Sequence, residues 1–160
     1  MHKLAAIVGP TAVGKTNISL EVARQINGEI ISCDSMQLYR GMDIGTAKAS
    51  QEEQSLVAHH LIDIADPNEN FTVARYQSLV KDLISTINAW GKIPILVGGT
   101  GLYYQSVVDD YTFFPMEVRQ SIRDKWNAII QEKGLPHVYC WLEQIDPAYA
   151  QKISPNDQKR

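Results

Sequence analysis

Gly9-Pro10-Thr11-Ala12-Val13-Gly14-Lys15-Thr16 fits G-x-x-x-x-G-K-[ST], and its flanks decide the fold. The apolar run Leu4-Ala5-Ala6-Ile7-Val8 precedes it. Ile18, Val22 and Ile26 follow at helical spacing, with Glu21, Arg24 and Gln25 between them. Strand, glycine loop, helix is the context in which this pattern cradles phosphate. Gly9 and Gly14 are expected to take backbone angles that side chains forbid, so that several N–H groups point into one cavity. The helix N-terminus adds partial positive charge at the same place. Lys15 would reach the outer phosphates and Thr16 would hold Mg²⁺. The alternative is a Gly-rich turn with no ligand. The loop indicates a polyphosphate without saying which one.

Outward from the loop, Glu29-Ile30-Ile31-Ser32-Cys33 reads as a second buried strand, entered through the turn pair Asn27-Gly28, with Asp34 at its C-terminal end. Residues 35–50 are polar and glycine-spotted and read as loop. Gln51 to Ala58 fits a short helix, and His60 to Ile64 a short strand closed by Asp66-Pro67. Between Thr72 and Trp90 the apolar positions Val73, Tyr76, Leu79, Val80, Leu83, Ile84 and Ile87 keep helical spacing, with Thr72 as N-cap and Gly91 as terminator. Ile93 to Val97 is a third apolar strand. Gly98-Gly99-Thr100-Gly101 is a second glycine loop, and Leu102 to Val108 opens another helix. Alternating strands and helices imply an α/β fold: a parallel sheet covered by helices on both faces, as in P-loop NTPases. Ligands of such sheets collect beyond the C-terminal strand ends. The P-loop, Asp34 and Thr100 all fall at such ends.

The character changes after Tyr111. Val118, Ile122, Trp126, Ile129 and Ile130 form an amphipathic stripe that stops at Gly134. Pro136 to Gln144 is read as helix, and Asp146-Pro147 opens another. The expected organisation is a P-loop α/β core over residues 1–111 and a helical appendage over 112–160. Ser154 suits an N-cap and Pro155 a first helical position, so the chain is expected to end on a helix start and to be a fragment.

With 160 residues, 44% of them hydrophobic, a real core is available, and 21% charged residues exclude a disordered chain. A net charge of −3 gives no global basic signal, so a nucleic-acid partner must be held by a local patch. Cys33 and Cys140 are far apart and unpatterned, which indicates neither a disulfide framework nor a metal cluster. A reducing cytoplasm fits. Met1-His2-Lys3 runs straight into the first strand, which leaves no room for a signal peptide. No apolar run approaches the ~20 residues that span a bilayer, so no membrane association is expected. His59-His60 lacks a partner at ligand spacing; adjacent strand residues face opposite ways, so one is read as packed and one as exposed.

The run Asp34-Ser35-Met36-Gln37-Leu38-Tyr39-Arg40-Gly41-Met42-Asp43-Ile44-Gly45-Thr46-Ala47-Lys48 resembles the signature of the tRNA dimethylallyltransferases, the IPP transferase family. His59-His60-Leu61-Ile62-Asp63, Val97-Gly98-Gly99-Thr100-Gly101-Leu102-Tyr103 and Pro155-Asn156-Asp157 match further family motifs in the same order, so the resemblance covers essentially the whole chain. It implies transfer of a dimethylallyl group from dimethylallyl diphosphate to N6 of an adenosine beside the anticodon of a tRNA. It also implies that the P-loop holds the substrate's diphosphate, not ATP. The segment after Tyr111 would begin a helical insertion domain that grips the anticodon arm. Two departures stand out: Asp109 to Glu117 is short for the family, and family members continue well past the equivalent of Arg160. A monomer is expected.

On that reading, the P-loop amides, Lys15 and Mg²⁺ on Thr16 neutralise the leaving diphosphate. The exocyclic amine of adenine is nearly non-basic and needs a carboxylate to take its proton. Asp34 is the candidate base; the alternative is that it binds Mg²⁺ through water or caps a turn. Thr100 would donate near the diphosphate or hold the reacting base, or simply cap a turn. Ser35, Met36 and Gln37 would frame the adenine. Arg119, Lys159 and Arg160 match positions where the family contacts tRNA backbone, with ordinary solvated charge as the alternative. Tyr103 and Tyr104 line a prenyl pocket or pack in the core. The stripe through Trp126 is read as core and not as a base-stacking platform. Two rival functions share the loop. One is an ATP-dependent small-molecule or nucleotide kinase; the other is a non-catalytic nucleotide switch.

Overall fold

A computed structural model describes residues 3–113 and 116–158, with 116–119 as backbone alone. The chain divides into two compact units, Met1–Tyr111 and Thr112–Arg160. In the first, β1 (Ala5–Val8), α1 (Lys15–Ile26), β2 (Gly28–Ser32), α2 (Gln51–Leu56), β3 (His59–His60), α3 (Val73–Ala89), β4 (Ile93–Gly98) and α4 (Gly101–Val108) follow in order. The four strands form one parallel sheet in the order β1-β4-β2-β3. Ile30 lies opposite Ile95 on one side and His59 on the other.

Alternation along the strands divides the core in two. Ile30 and Ile95 pack with Ala23 and Val57, joined by Leu20 and Val22 of α1. Ile31 and Leu96, one residue on, pack with Tyr76, Val80 and Ile87 of α3 and with Tyr103 and Val107 of α4. Both faces of the central strands are therefore covered, which is why β2 and β4 read as unbroken apolar runs.

The element ends have local causes. Asn27 at φ 53° closes α1, and Gly91 at φ 72° follows α3. The Thr72 hydroxyl accepts the Arg75 N–H at 3.2 Å, as the sequence predicts for the start of α3. Ser50 and Glu53 form a capping box that starts α2.

The strand expected over His60–Ile64 is only the two residues His59–His60. Leu61 and Asp63 take left-handed backbone angles, φ 60° and 55°, and end it. The two histidines are not one packed and one exposed; both are half-buried. Nε2 of His60 lies 2.7 Å from Glu29, whose other oxygen accepts Nζ of Lys92 at 2.6 Å.

The second unit holds α5 (Met116–Lys133), α6 (Leu135–Ile145) and α7 (Pro147–Ala150). Gly134 at φ 82° breaks α5 from α6, and the Asp146 carboxylate caps α7 by accepting the Tyr149 N–H at 2.9 Å. The half-buried Trp126 meets Trp141 with ring centroids 5.0 Å apart, so it packs within its own unit. The helix start expected at Ser154-Pro155 is a turn through residue 158: the Asp157 N–H donates to the Ser154 carbonyl at 2.9 Å. Serine followed by proline serves the first corner of a turn as readily as the first turn of a helix. Cys33 is buried, Cys140 is exposed, and both are free thiols. No described helix is long and apolar enough to cross a membrane.

Candidate functional site

Three strand ends are stitched together at the C-terminal edge of the sheet. The Gly9 N–H donates to Gly98 O at 3.3 Å, the Cys33 N–H to Val97 O at 2.7 Å, and the Thr100 N–H to Cys33 O at 3.1 Å. The approach is so close that a Cβ on Gly98 would sit 2.2 Å from the Cys33 carbonyl oxygen. The second glycine loop is therefore a steric requirement of bringing β2, β4 and the P-loop to one edge.

Within the P-loop the left-handed angles fall on Ala12 (φ 67°) and Gly14 (φ 85°), not on Gly9. Gly14 is the N-cap of α1 and offers no side-chain bond to the first helical N–H groups. Those donors have no helical partners and form, with the helix dipole, an anion-binding end. Nζ of Lys15 donates to the loop's own Pro10 carbonyl at 2.6 Å, so it lies along the loop.

A cavity of about 290 Å³ opens here, lined by Thr11, Ala12, Gly14, Lys15 and Thr16 from one side and Asp34 from the other. That volume lies at the small end of the range of ligand pockets. Asp34 and the P-loop thus share one cavity. Oδ1 of Asp34 accepts the N–H groups of Met36 at 2.9 Å and Gln37 at 3.4 Å, which is an Asx turn. Oδ2 makes no hydrogen bond among the described residues, so the Asx turn engages only one of the two carboxylate oxygens.

Thr100, Ser35 and Met36 do not line this cavity. The Thr100 hydroxyl instead accepts the Ser35 N–H at 3.0 Å and fixes the backbone next to Asp34. The Gln37 side chain, expected to help frame the adenine, does line this cavity, but its amide is bonded within the protein. Its amide nitrogen donates to Thr46 O at 3.0 Å and Ala47 O at 3.2 Å, and its oxygen accepts the Ser32 hydroxyl at 3.0 Å. Met36 is exposed and lines an adjoining cavity that also contains Asp34 and Thr11. Tyr103 stacks on Tyr76 with centroids 4.1 Å apart, and Tyr104 packs against the same cluster, so both belong to the core. Burial pushes the Tyr103 hydroxyl up to about 12. The Arg119 side chain, Lys159 and Arg160 lie outside the described residues.

His59 also lines the cavity, a placement that sequence reasoning missed. A ring nitrogen 2.7 Å from the Val57 carbonyl must be the donor, so Nδ1 carries the proton and a neutral His59 keeps its lone pair on Nε2. Burial lowers its pKa. The parallel pairing of β3 with β2 puts it there; the motif His59-His60-Leu61-Ile62-Asp63 is the one sequence signal that could have found it. No group of three or more His, Cys, Asp or Glu side chains arranged to hold a metal occurs among the described residues. The oxygen-bearing side chains that line the cavity include the hydroxyls of Thr11 and Thr16 and the Asp34 carboxylate.

A family model described as IPP transferase matches residues 37–160. A tRNA dimethylallyltransferase from Syntrophomonas wolfei is 94% identical over all 160 residues, which make up 52% of that protein. One from Bacillus subtilis is 50% identical over 96% of the chain and 49% of its own length. The crystal structure of a full-length tRNA isopentenylpyrophosphate transferase from Bacillus halodurans is 48% identical, with a TM-score of 0.70 over the whole chain and 53% of its own. A eukaryotic dimethylallyltransferase acting on tRNA is 31% identical, with a TM-score of 0.81 over the whole chain and 40% of its own. The chain spans about half the length of the curated relatives it matches. The four-stranded parallel sheet, the glycine cradle and this set of matches together place the chain in the IPP transferase family.

Proposed function

We propose that this chain carries the catalytic core of a tRNA dimethylallyltransferase. It moves the dimethylallyl group of dimethylallyl diphosphate to N6 of an adenosine adjacent to the anticodon and releases diphosphate. The observation that carries this reading is the cavity shared by the P-loop and Asp34 in a chain of this family. A kinase would need the same cradle, but the relatives described above are named for prenyl transfer, which favours the first reading.

The allylic C–O bond breaks with its electron pair leaving on the diphosphate. The amides of Gly9 to Thr16 and the Lys15 ammonium take up that charge. The N6 lone pair forms the new C–N bond, and the Asp34 carboxylate accepts the N6 proton. Thr100 serves by holding Ser35, and so the register of Asp34. The hydroxyl of Thr16 fits Mg²⁺, a hard cation; when bound, it would supply further neutralisation of the diphosphate and leave the Asp34 carboxylate for the proton. Asp34, Ser35, Met36, Gln37, Thr100, Arg119, Lys159 and Arg160 are the proposed tRNA contacts, Gln37 through its loop and not through its amide. Residues 1–111 are the P-loop core, and 112–160 begin a helical insertion domain for the anticodon arm. The protein acts as a cytoplasmic monomer.

The test is label transfer from radiolabelled dimethylallyl diphosphate to tRNA. Asp34→Asn keeps RNA affinity and lowers turnover by ~100-fold or more, the usual worth of a general base. Lys15→Ala loses diphosphate affinity and turnover together. Near-normal turnover by Asp34→Asn removes it as the base, and phosphoryl transfer from ATP with no label on RNA reverses the choice of reaction.

A further inference from the structure

The loop that follows Asp34 is far more constrained than its lack of secondary structure implies. Lys48 has a side chain only 5% exposed, and its Nζ reaches the Tyr39 carbonyl at 2.9 Å, Asp43 at 2.7 Å and Asp63 at 2.5 Å. The Thr46 hydroxyl donates to Met42 O at 2.6 Å, and the Gln37 amide holds the carbonyls of Thr46 and Ala47. Leu38 O accepts two N–H groups, from Ile64 and Ala65, and the Arg40 N–H donates to Ala65 O. Both sides of the loop are tied down, and its tip is presented as a fixed shape.

At that tip stands Ile44, 100% exposed. Folding gains nothing from an apolar side chain that touches no protein. Ile44 lines the rim of a cavity of about 580 Å³ whose other walls include Asp34, Met36 and Met42. The Asp43 carboxylate beside it is paired with Lys48, which is shared with Asp63 and so offsets part of the negative charge next to the tip.

This inference rests on the reading of the preceding subsection. A purine stacked in an RNA loop must be turned out to reach a carboxylate in a cleft, at a cost of a few kcal/mol. Proteins that open a base step insert an apolar side chain to occupy the gap. We infer that Ile44 is such a wedge: it enters the stack vacated by the target adenine, while Met36 and Met42 flank the extruded base. A β-branched side chain with few rotamers on an anchored loop loses little entropy on insertion. The methionine thioethers are polarisable partners for an aromatic ring edge.

The experiment uses the intact protein and an anticodon stem-loop with 2-aminopurine at the target position, whose fluorescence rises when the base leaves its stack. Wild type raises the signal on binding. Ile44→Ala halves that rise or more and, in turnover assays on the same stem-loop with adenosine at the target position, raises KM for RNA about tenfold, the equivalent of about 1.4 kcal/mol. It leaves KM for dimethylallyl diphosphate and Tm unchanged, and Ile44→Leu behaves as wild type. A rise undiminished in Ile44→Ala, or absent in wild type, overturns the wedge. A fall in Tm overturns it too, because Ile44 would then be covered by protein. Normal fluorescence behaviour without prenyl transfer to tRNA leaves the wedge standing and removes the proposed reaction.

Discussion

The two units solve the same packing problem with different success. In the first, Ile31, Leu96, Ile95, Tyr76 and Val80 are completely buried. In the second, Ala150 is the buried residue among those described, while Ile122, Trp141 and Ile145 remain exposed. Both contain amphipathic helices with well-formed stops. The first also has a sheet, whose two faces offer every helix a flat apolar partner. The second has, among the described residues, three helices and no sheet for them to pack against. Helical periodicity thus declares a face that wants covering, and a second layer decides whether it is covered.

Substitutions can break or sharpen that contrast. The largest expected effect is Leu96→Ala, in the middle of β4, which lowers unfolding free energy by about 2–5 kcal/mol in chemical denaturation. A loss of under 1 kcal/mol there would show that the sheet is not the source of the first unit's order. A smaller effect follows from Glu29. Burial pushes its carboxyl up, but the hydrogen bonds and charges of Lys92 and His60 more than offset this and hold it below its ordinary 4.5. A depressed folded-state pKa stabilises at and above pH 4.5 and stops doing so as pH falls through the folded value. Thermal melts of wild type should therefore lose stability on acidification below pH 4.5, and Glu29→Gln should lose less over the same range. Equal acid sensitivity would remove the Glu29 cluster from the first unit's account. The smallest effect is Ile145→Ala, on the exposed side of α6: within about 0.5 kcal/mol of wild type by the same denaturation. A cost approaching that of Leu96→Ala would mean that the second unit's apolar side chains are already covered in solution.

Much of this was legible beforehand where local chemistry decides. The strand–loop–helix around Lys15, the Thr72 cap and the stop at Gly134 depend on neighbours within a few residues, and sequence shows those neighbours. What it conceals are bonds between loops. The strand expected after His60 fails because Asp63 is engaged by Lys48 and by the carbonyl of Gln37, partners that lie 15 and 26 positions away. The Gln37 amide looked available because its acceptors, Thr46 and Ala47, belong to a loop whose path no periodicity records. His59 went unnoticed as a cavity residue for the same reason: parallel pairing with β2 sets its position. At Ser154-Pro155 the signals were correct but shared by two outcomes, a helix start and a turn.

The absence of one methyl group at position 98 has a mechanical meaning. Because Gly98 lets its backbone press on the carbonyl of Cys33, the gap between the phosphate cradle and the acid of residue 34 is gauged by main chain against main chain. A spacing set in this way does not drift with rotamers or loop motion. An alanine there would act as a shim, prising the P-loop and Asp34 apart without changing any side chain that lines their cavity.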